Sequence, residues 1–162
     1  MKSITFIKQL IVQLGFEEIT NIKTETQNSE YEGTRFNLNQ YSYRSRLAKL
    51  TSKKAGYFVV FWEKDANNKN QPYSFLESPD KVIVSVLDNE KIGQFVFPKL
   101  ILHKQGILRS ETSKGKMAIR VYPTWEKELN PSAMKTQKWQ SAYFIDLTQG
   151  TNTDKLSKRY NS

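Results

Sequence analysis

The 162-residue sequence contains no cysteine. Disulfides, thiol nucleophiles, iron–sulfur ligation and every cysteine-based zinc site are thereby excluded. A single histidine, His103, removes imidazole-rich metal centres as well. Only Mg²⁺ or Ca²⁺ held by carboxylates, carbonyls and water stays open on ligand chemistry. No stretch approaches the run of roughly 18 apolar residues that a membrane-spanning helix requires. The N-terminal "MKSITFIKQLIVQLGF" is apolar enough to be tested as a leader, but Lys8 interrupts it and no small-x-small cleavage site follows. Its apolar positions recur at helical spacing, which predicts an amphipathic first helix of a cytoplasmic protein.

Acidic residues are also scarce, 16 against 25 lysines and arginines, for a formal net charge of +9. The imbalance is uneven. Residues 1–32 hold three lysines and five glutamates, a net −2, so the remaining chain carries +11. Solubility needs charge but not such asymmetry, and a polyanion partner, DNA or RNA before an anionic membrane, accounts for it better. A chain of this length buries a real core without staples, and one domain over 1–148 with a polar tail over 149–162 is expected.

Ser3 is placed to cap the first helix, with Ile4, Ile7, Leu10, Ile11 and Leu14 on one face and Gly15 at its end. Residues 24–33 and 65–72 are polar and read as loops. Alternation over 41–48, the β-branched and aromatic run "YFVVFW" (57–62) and "KVIVSVL" (81–87) predict strands, the last joined to "QFVF" (94–97) as a hairpin. Pro98 opens a short helix through "KLILHK" that Gly106 closes. "GILRS" and "MAIRVY" are expected to pair across "ETSKGK", and Asn130–Pro131 starts a helix over 131–147. Helices at both ends of a strand-rich middle give an α+β class with a central, mostly antiparallel twisted sheet.

Three segments, "YRSRLAKLTSKKAGYFVVFWEK", "IGQFVFPKLILHKQGILRS" and "GKMAIRVYPTWEK…MKTQKWQSAYF", resemble the MepB family of small bacterial proteins, named from a gene beside a multidrug efflux pump. The resemblance spans roughly residues 30 to 145. It departs at Ser52, where the family has proline, and at Tyr57, where it has glutamine. What the resemblance implies for the fold is a nuclease-like α/β architecture.

A nuclease of the PD-(D/E)xK kind needs an Asp and a second acid on Mg²⁺, with a Lys two residues beyond the second acid. Pro79–Asp80 before the 81–87 strand supplies the first half, but no (D/E)-x-K tripeptide occurs anywhere. Glu63–Lys64 and Glu90–Lys91 have a spacing that points the pair to opposite faces of a strand. Glu30, Glu32, Glu63 and Asp80 are the candidate acids of this alternative, with Lys99 or Lys116 as a migrated lysine, and Asp80 reads better as a turn residue. No cofactor is expected unless that alternative holds, when Mg²⁺ would be. "KGK" at 114–116 lacks the glycine spacing of a phosphate loop, there is no G-x-S-x-G, and His103 reads as a surface or partly buried residue.

From Gly33 to Trp62 there is no acid, while Arg35, Arg44, Arg46, Lys49, Lys53 and Lys54 lie within the run. Arg44 and Arg46 share one strand face about 7 Å apart, near the phosphate repeat of a nucleic-acid strand. Lys53 and Lys54 fall in the following turn. Arg109, Lys114, Lys116 and Arg120 form a second basic group, and Lys135 with Lys138 a third. Tyr43, Trp125 and Trp139, with Tyr41 and Tyr122, are the candidates to stack on unpaired bases. Edge lysines that block aggregation are the plain alternative for the first group. The expectation is a nucleic-acid binder that grips phosphates without catalysis. A divalent-metal nuclease or degenerate relative is one alternative, and a module for an acidic protein or anionic small molecule is another. Oligomeric state has no signature in the sequence.

Overall fold

The computed structural model describes residues 1–150 and 152–161. Six strands make the central sheet: β1 (Thr20–Thr24), β2 (Thr34–Leu38), β3 (Tyr41–Leu47), β8 (Lys81–Asp88), β9 (Lys91–Pro98) and β11 (Phe144–Asp146), adjacent in that order. Every neighbouring pair is antiparallel except β3 with β8. The parallel pair needs a crossover, and residues 48–80 supply it. They carry β4 (Lys49–Leu50), β5 (Tyr57–Val60), β6 (Trp62–Lys64) and β7 (Asn70–Pro72). β4 and β5 join β10 (Ala118–Val121) in a three-stranded sheet, and β6 with β7 forms a separate ribbon.

Alternation sorts β8 and β9 into two cores. Val82, Val84, Val86, Phe95 and Phe97 face the small sheet and the helices α2 (Lys99–Lys104) and α3 (Pro131–Ser141). Ile83 and Val96 face α1 (Lys2–Leu14) and α4 (Thr153–Asn161) with Phe36, Leu38 and Tyr43. Each fully buried side chain of this kind contributes about 1.5–3 kcal/mol, so a sheet covered on both faces accounts for most of the stability. The fold class is therefore α+β with a mostly antiparallel sheet, as the pattern of elements predicts.

Several local expectations change. Gly15 does end α1, in the left-handed conformation. Ser3, however, lies inside the helix and is buried, and its amide and hydroxyl both donate to Glu32 Oε1 at 2.8 and 2.7 Å. A distant carboxylate thus satisfies the helix start. The end of the 65–72 loop closes as β7, and β1 precedes the expected 24–33 loop, which holds a 3₁₀ turn. The "GILRS"/"MAIRVY" hairpin is absent because β10 pairs with β5 instead. The helix from Pro131 is capped by Asn130 at 2.8 Å but stops at Ser141, after which Phe144–Asp146 adds to the edge of β9.

The C-terminal stretch expected as a polar tail carries α4, with Leu156 and Tyr160 fully buried. Thr151 and Ser162 lie outside the described residues. Three carbonyls at the end of α4 accept from the sheet: Arg159 O from Lys81 Nζ at 2.7 Å, Tyr160 O from the Tyr43 hydroxyl, and Asn161 O from the Tyr41 hydroxyl at 3.2 Å. These are the carbonyls a helix end leaves without partners of its own.

Candidate functional site

Arg44 and Arg46 do share a face of β3, but that face is interior. In register they lie beside Val82 and Val84, at 4% and 0% exposure. β3 is a central strand between β2 and β8, so neither of its edges is free. Glu25 holds both guanidinium groups, with Arg44 Nε at 3.1 Å and Arg46 Nη2 at 2.6 Å. Glu63 lies 3.6 Å from Arg44 Nη2 and 3.5 Å from Arg109 Nη2. The Arg44 guanidinium also covers the ring of buried Tyr73, 3.6 Å from its centroid. Burial pushes the Glu25 carboxyl up, but Arg46 and then Arg44 more than offset this and hold it below the ordinary carboxylate range. These arginines are structural ions, and the expectation that they grip phosphate at the surface is overturned by their burial.

Tyr43 is likewise withdrawn, stacked on Phe36 with ring centroids 5.2 Å apart in the α1/α4 core. Trp125 packs edge-on against Tyr57 and Phe144, at 6.4 and 5.5 Å. Its half-buried ring packs against the core, so it is committed there rather than standing out as a stacking platform. Asp80 is exposed and accepts from the amide and hydroxyl of Ser42, at 2.8 and 3.1 Å, which fixes the start of β3 in the turn role. Glu63 belongs to the arginine network and Glu32 caps α1, so these acids have separate partners. Among the described residues no three His, Asp or Glu side chains are grouped to hold a metal ion.

Two of the remaining basic residues, Lys116 and Arg120, line one groove. An open groove of about 310 Å³ runs between β10 and α3, lined by Lys116, Arg120, Tyr122, Thr136, Trp139 and Gln140 among others, with no acid in its walls. Trp139 packs on Phe97 at 5.5 Å and still contributes to the lining. Gln140 is buried, accepts from Tyr122 N and donates to Arg120 O, both within 2.9 Å, so α3 is tied to β10 along the groove. Lys135 lies one turn before Trp139 on the same side of α3. Lys138 is exposed on the side of the helix away from Gln140, so it borders the groove less directly than expected.

Arg120 also reaches the loop that carries Lys53 and Lys54. Its guanidinium donates to Ala55 O at 3.1 Å, Lys54 O at 3.3 Å, Gly56 O at 3.4 Å and the Thr51 hydroxyl. The Tyr122 ring lies against Gly56, where a Cβ would come within 2.7 Å of it. Gly56 also has φ 79°, so glycine is required there twice over. Lys53, Lys54, Lys114 and Lys116 are exposed, and Lys49 is half-buried over the Tyr31 ring. Arg120 is therefore a staple under a basic surface, and Arg109, which donates to Pro72 O at 2.8 Å, is partly committed as well.

This architecture defines a class: an α+β protein whose two-sided sheet is keyed by buried arginines and whose β10/α3 groove is lined by Lys116 and Arg120 without an acid. Residues 25–146 match the family model described as MepB-like, and the chain belongs to that family. A solved structure, the crystal structure of MepB, is 44% identical over 88% of this chain and 95% of the other, with a TM-score of 0.80. A bacterial homing endonuclease, I-Ssp6803I, aligns over 98% of this chain and 95% of its own at 12% identity and a TM-score of 0.45, too slight a likeness to carry an argument. No curated protein matches the chain.

Proposed function

We propose that the protein binds nucleic acid through phosphate contacts along the β10/α3 groove, without cleaving it. The observation that carries this reading is the acid-free lining of that groove, with Lys116 in its wall and the Lys53–Lys54 loop stapled to it by Arg120. Lysines on a fixed loop lose less freedom on binding than lysines on a mobile one. Trp139 and Tyr122 supply aromatic edges beside the charges, which suits a strand with unpaired bases. Trp139 is the one member of the expected stacking set Tyr43, Trp125 and Trp139 that reaches this surface.

Fluorescence anisotropy with labelled single- and double-stranded oligonucleotides over a salt series tests the reading. Contacts from Lys53, Lys54, Lys114, Lys116 and Lys135 give a log K against log salt slope of about −4.5 for duplex. The Lys53→Ala/Lys54→Ala variant is expected to reduce that slope by about 2 and to weaken all sequences alike. An affinity that does not change with salt, or that survives Lys116→Glu intact, counts against the groove. Added Mg²⁺ is expected to leave the oligonucleotide whole.

A further inference from the structure

The two glutamates of the arginine network are held very differently. Glu25 sits at 2.6 and 3.1 Å from its guanidinium partners. Glu63 makes only long contacts: Arg44 Nη2 at 3.6 Å, Arg109 Nη2 at 3.5 Å and Gln71 Nε2 at 3.5 Å. Distances of that length lie at or beyond the edge of hydrogen bonding, so the carboxylate is poorly matched to the donors around it. Two buried donors beside this network, one on Arg44 and one on the Tyr73 ring that Arg44 covers, are also unused. Arg44 Nη1 and the Tyr73 hydroxyl are buried with no hydrogen-bond partner, in residues 4% and 0% exposed. Unpaired buried donors of this kind are costly unless something else satisfies them.

Glu63 is carried by β6, in the β6–β7 ribbon that belongs to neither larger sheet, directly opposite Gln71. One member of the network, Arg109, borders open space. Arg109 lines an open hollow of about 700 Å³ together with Ser74, Phe75, His103 and Thr112, with exposed Glu111 as the one acid in its wall. His103 Nδ1 is buried there without a partner. The volume lies within the range of small-molecule sites. This hollow shares no lining residue with the β10/α3 groove.

We infer that Arg44, Arg109, Gln71 and Tyr73 form a seat for a phosphate monoester that Glu63 occupies in the unliganded protein. The Glu63 carboxylate stands in for the oxyanion. A phosphate has one more oxygen than a carboxylate to offer, and its tetrahedral shape suits two guanidinium groups, an amide and a phenol better than a planar group does. Its organic part would lie in the hollow, against the Phe75–His103 pair whose rings are 4.4 Å apart. Entry requires the Glu63 side chain to rotate out of the seat while Gln71 stays in place on the paired strand, so Glu63 competes with the ligand. The inference does not depend on nucleic-acid binding, since its residues are separate from those of the groove.

The test is thermal unfolding and calorimetric titration with inorganic phosphate, chloride adjusted to hold ionic strength constant. Wild type is expected to bind weakly. Glu63→Ala unfolds at lower temperature in chloride, because Arg44 and Arg109 lose a counter-charge, and phosphate restores its midpoint. Its half-saturation is expected at a phosphate concentration lower by at least about tenfold. Adding Arg109→Ala removes the response. Glu63→Gln, which keeps the side-chain shape, serves if the alanine variant does not fold, and it too binds phosphate more tightly than wild type. No gain in either variant, or a gain that persists without Arg109, overturns the inference. A nucleoside 5′-monophosphate that binds more tightly than inorganic phosphate supports the hollow as its seat. One that binds no better than the unphosphorylated nucleoside overturns it.

Discussion

Arg44 and Arg46 lie within ten residues of Lys53 and Lys54 in one basic stretch, yet the two pairs meet opposite fates. The arginines sit on a strand flanked by β2 and β8, under the small sheet and the β6–β7 ribbon, and take their counter-charge from Glu25 and Glu63. The lysines sit in the next turn, exposed, with Arg120 beneath them. Charge density along the chain does not distinguish the pairs; position in the sheet does. The planar guanidinium forks of Arg44 and Arg46 match carboxylates, and that of Arg44 stacks on Tyr73, which suits them to burial. The ammonium groups of Lys53 and Lys54 are more strongly hydrated and have no such partners among the described residues. The same chain thus uses basic residues as internal keys in one place and as surface charge in another.

Removing a key should produce the largest effect. Arg46→Ala strips one of the two partners of Glu25 and leaves part of its charge buried and unmatched, at a cost of about 3–5 kcal/mol. Urea denaturation measures this, and a loss below about 1 kcal/mol would mean the network is far better solvated than its burial implies. Arg120→Ala tests the boundary between the two uses. It removes four contacts to the 51–56 loop from a half-buried side chain, and a loss of about 1–2 kcal/mol is expected. Hydrogen exchange in that loop should quicken and oligonucleotide affinity fall, while the salt slope stays near that of wild type. A slope reduced by about 1 would instead make Arg120 itself a phosphate ligand.

A pH-dependent effect concerns Lys81, an ammonium that is buried. Burial lowers its pKa from 10.5 to about 8, with Arg159 adding to the shift and Asp80 opposing it. Between about pH 8 and 10.5 the unfolded chain therefore holds a proton that the folded chain has released. The unfolding free energy contributed by this group must rise with pH across that window. Wild type should gain stability relative to Lys81→Met from pH 8 to 10, read from urea midpoints. Parallel curves for the two proteins would sink the assignment.

Much of the fold is legible in the residues. β8 and β9 follow from alternation around Asn89, whose φ of 55° makes the turn, and α1 follows from its apolar stripe and Gly15. The errors fall where the partner of a segment is remote. "MAIRVY" reads as half of a local hairpin, but its partner β5 is some 60 residues away in sequence. Leu147 continues the four-residue spacing of Trp139 and Tyr143, but β9 offers an unpaired edge that takes Phe144–Asp146 as a strand. In 153–161, Leu156 and Tyr160 at helical spacing were the available sign of α4, outweighed by the polar residues around them.

For the site, the acid-free run from Gly33 to Trp62 was visible, and its end at Glu63 is the one sequence sign of the buried network. Composition and local pattern by themselves determined the basic surplus, the absence of thiol chemistry and of imidazole-rich metal centres, and the order of most strands. Those depend on single residues and their near neighbours. Which positive charges face solvent depends on what packs over each strand, and that comes from pairings between distant segments. Only the tertiary structure buried Arg44 and Arg46, stapled the lysine loop with Arg120, and left Glu63 loosely seated between two guanidinium groups.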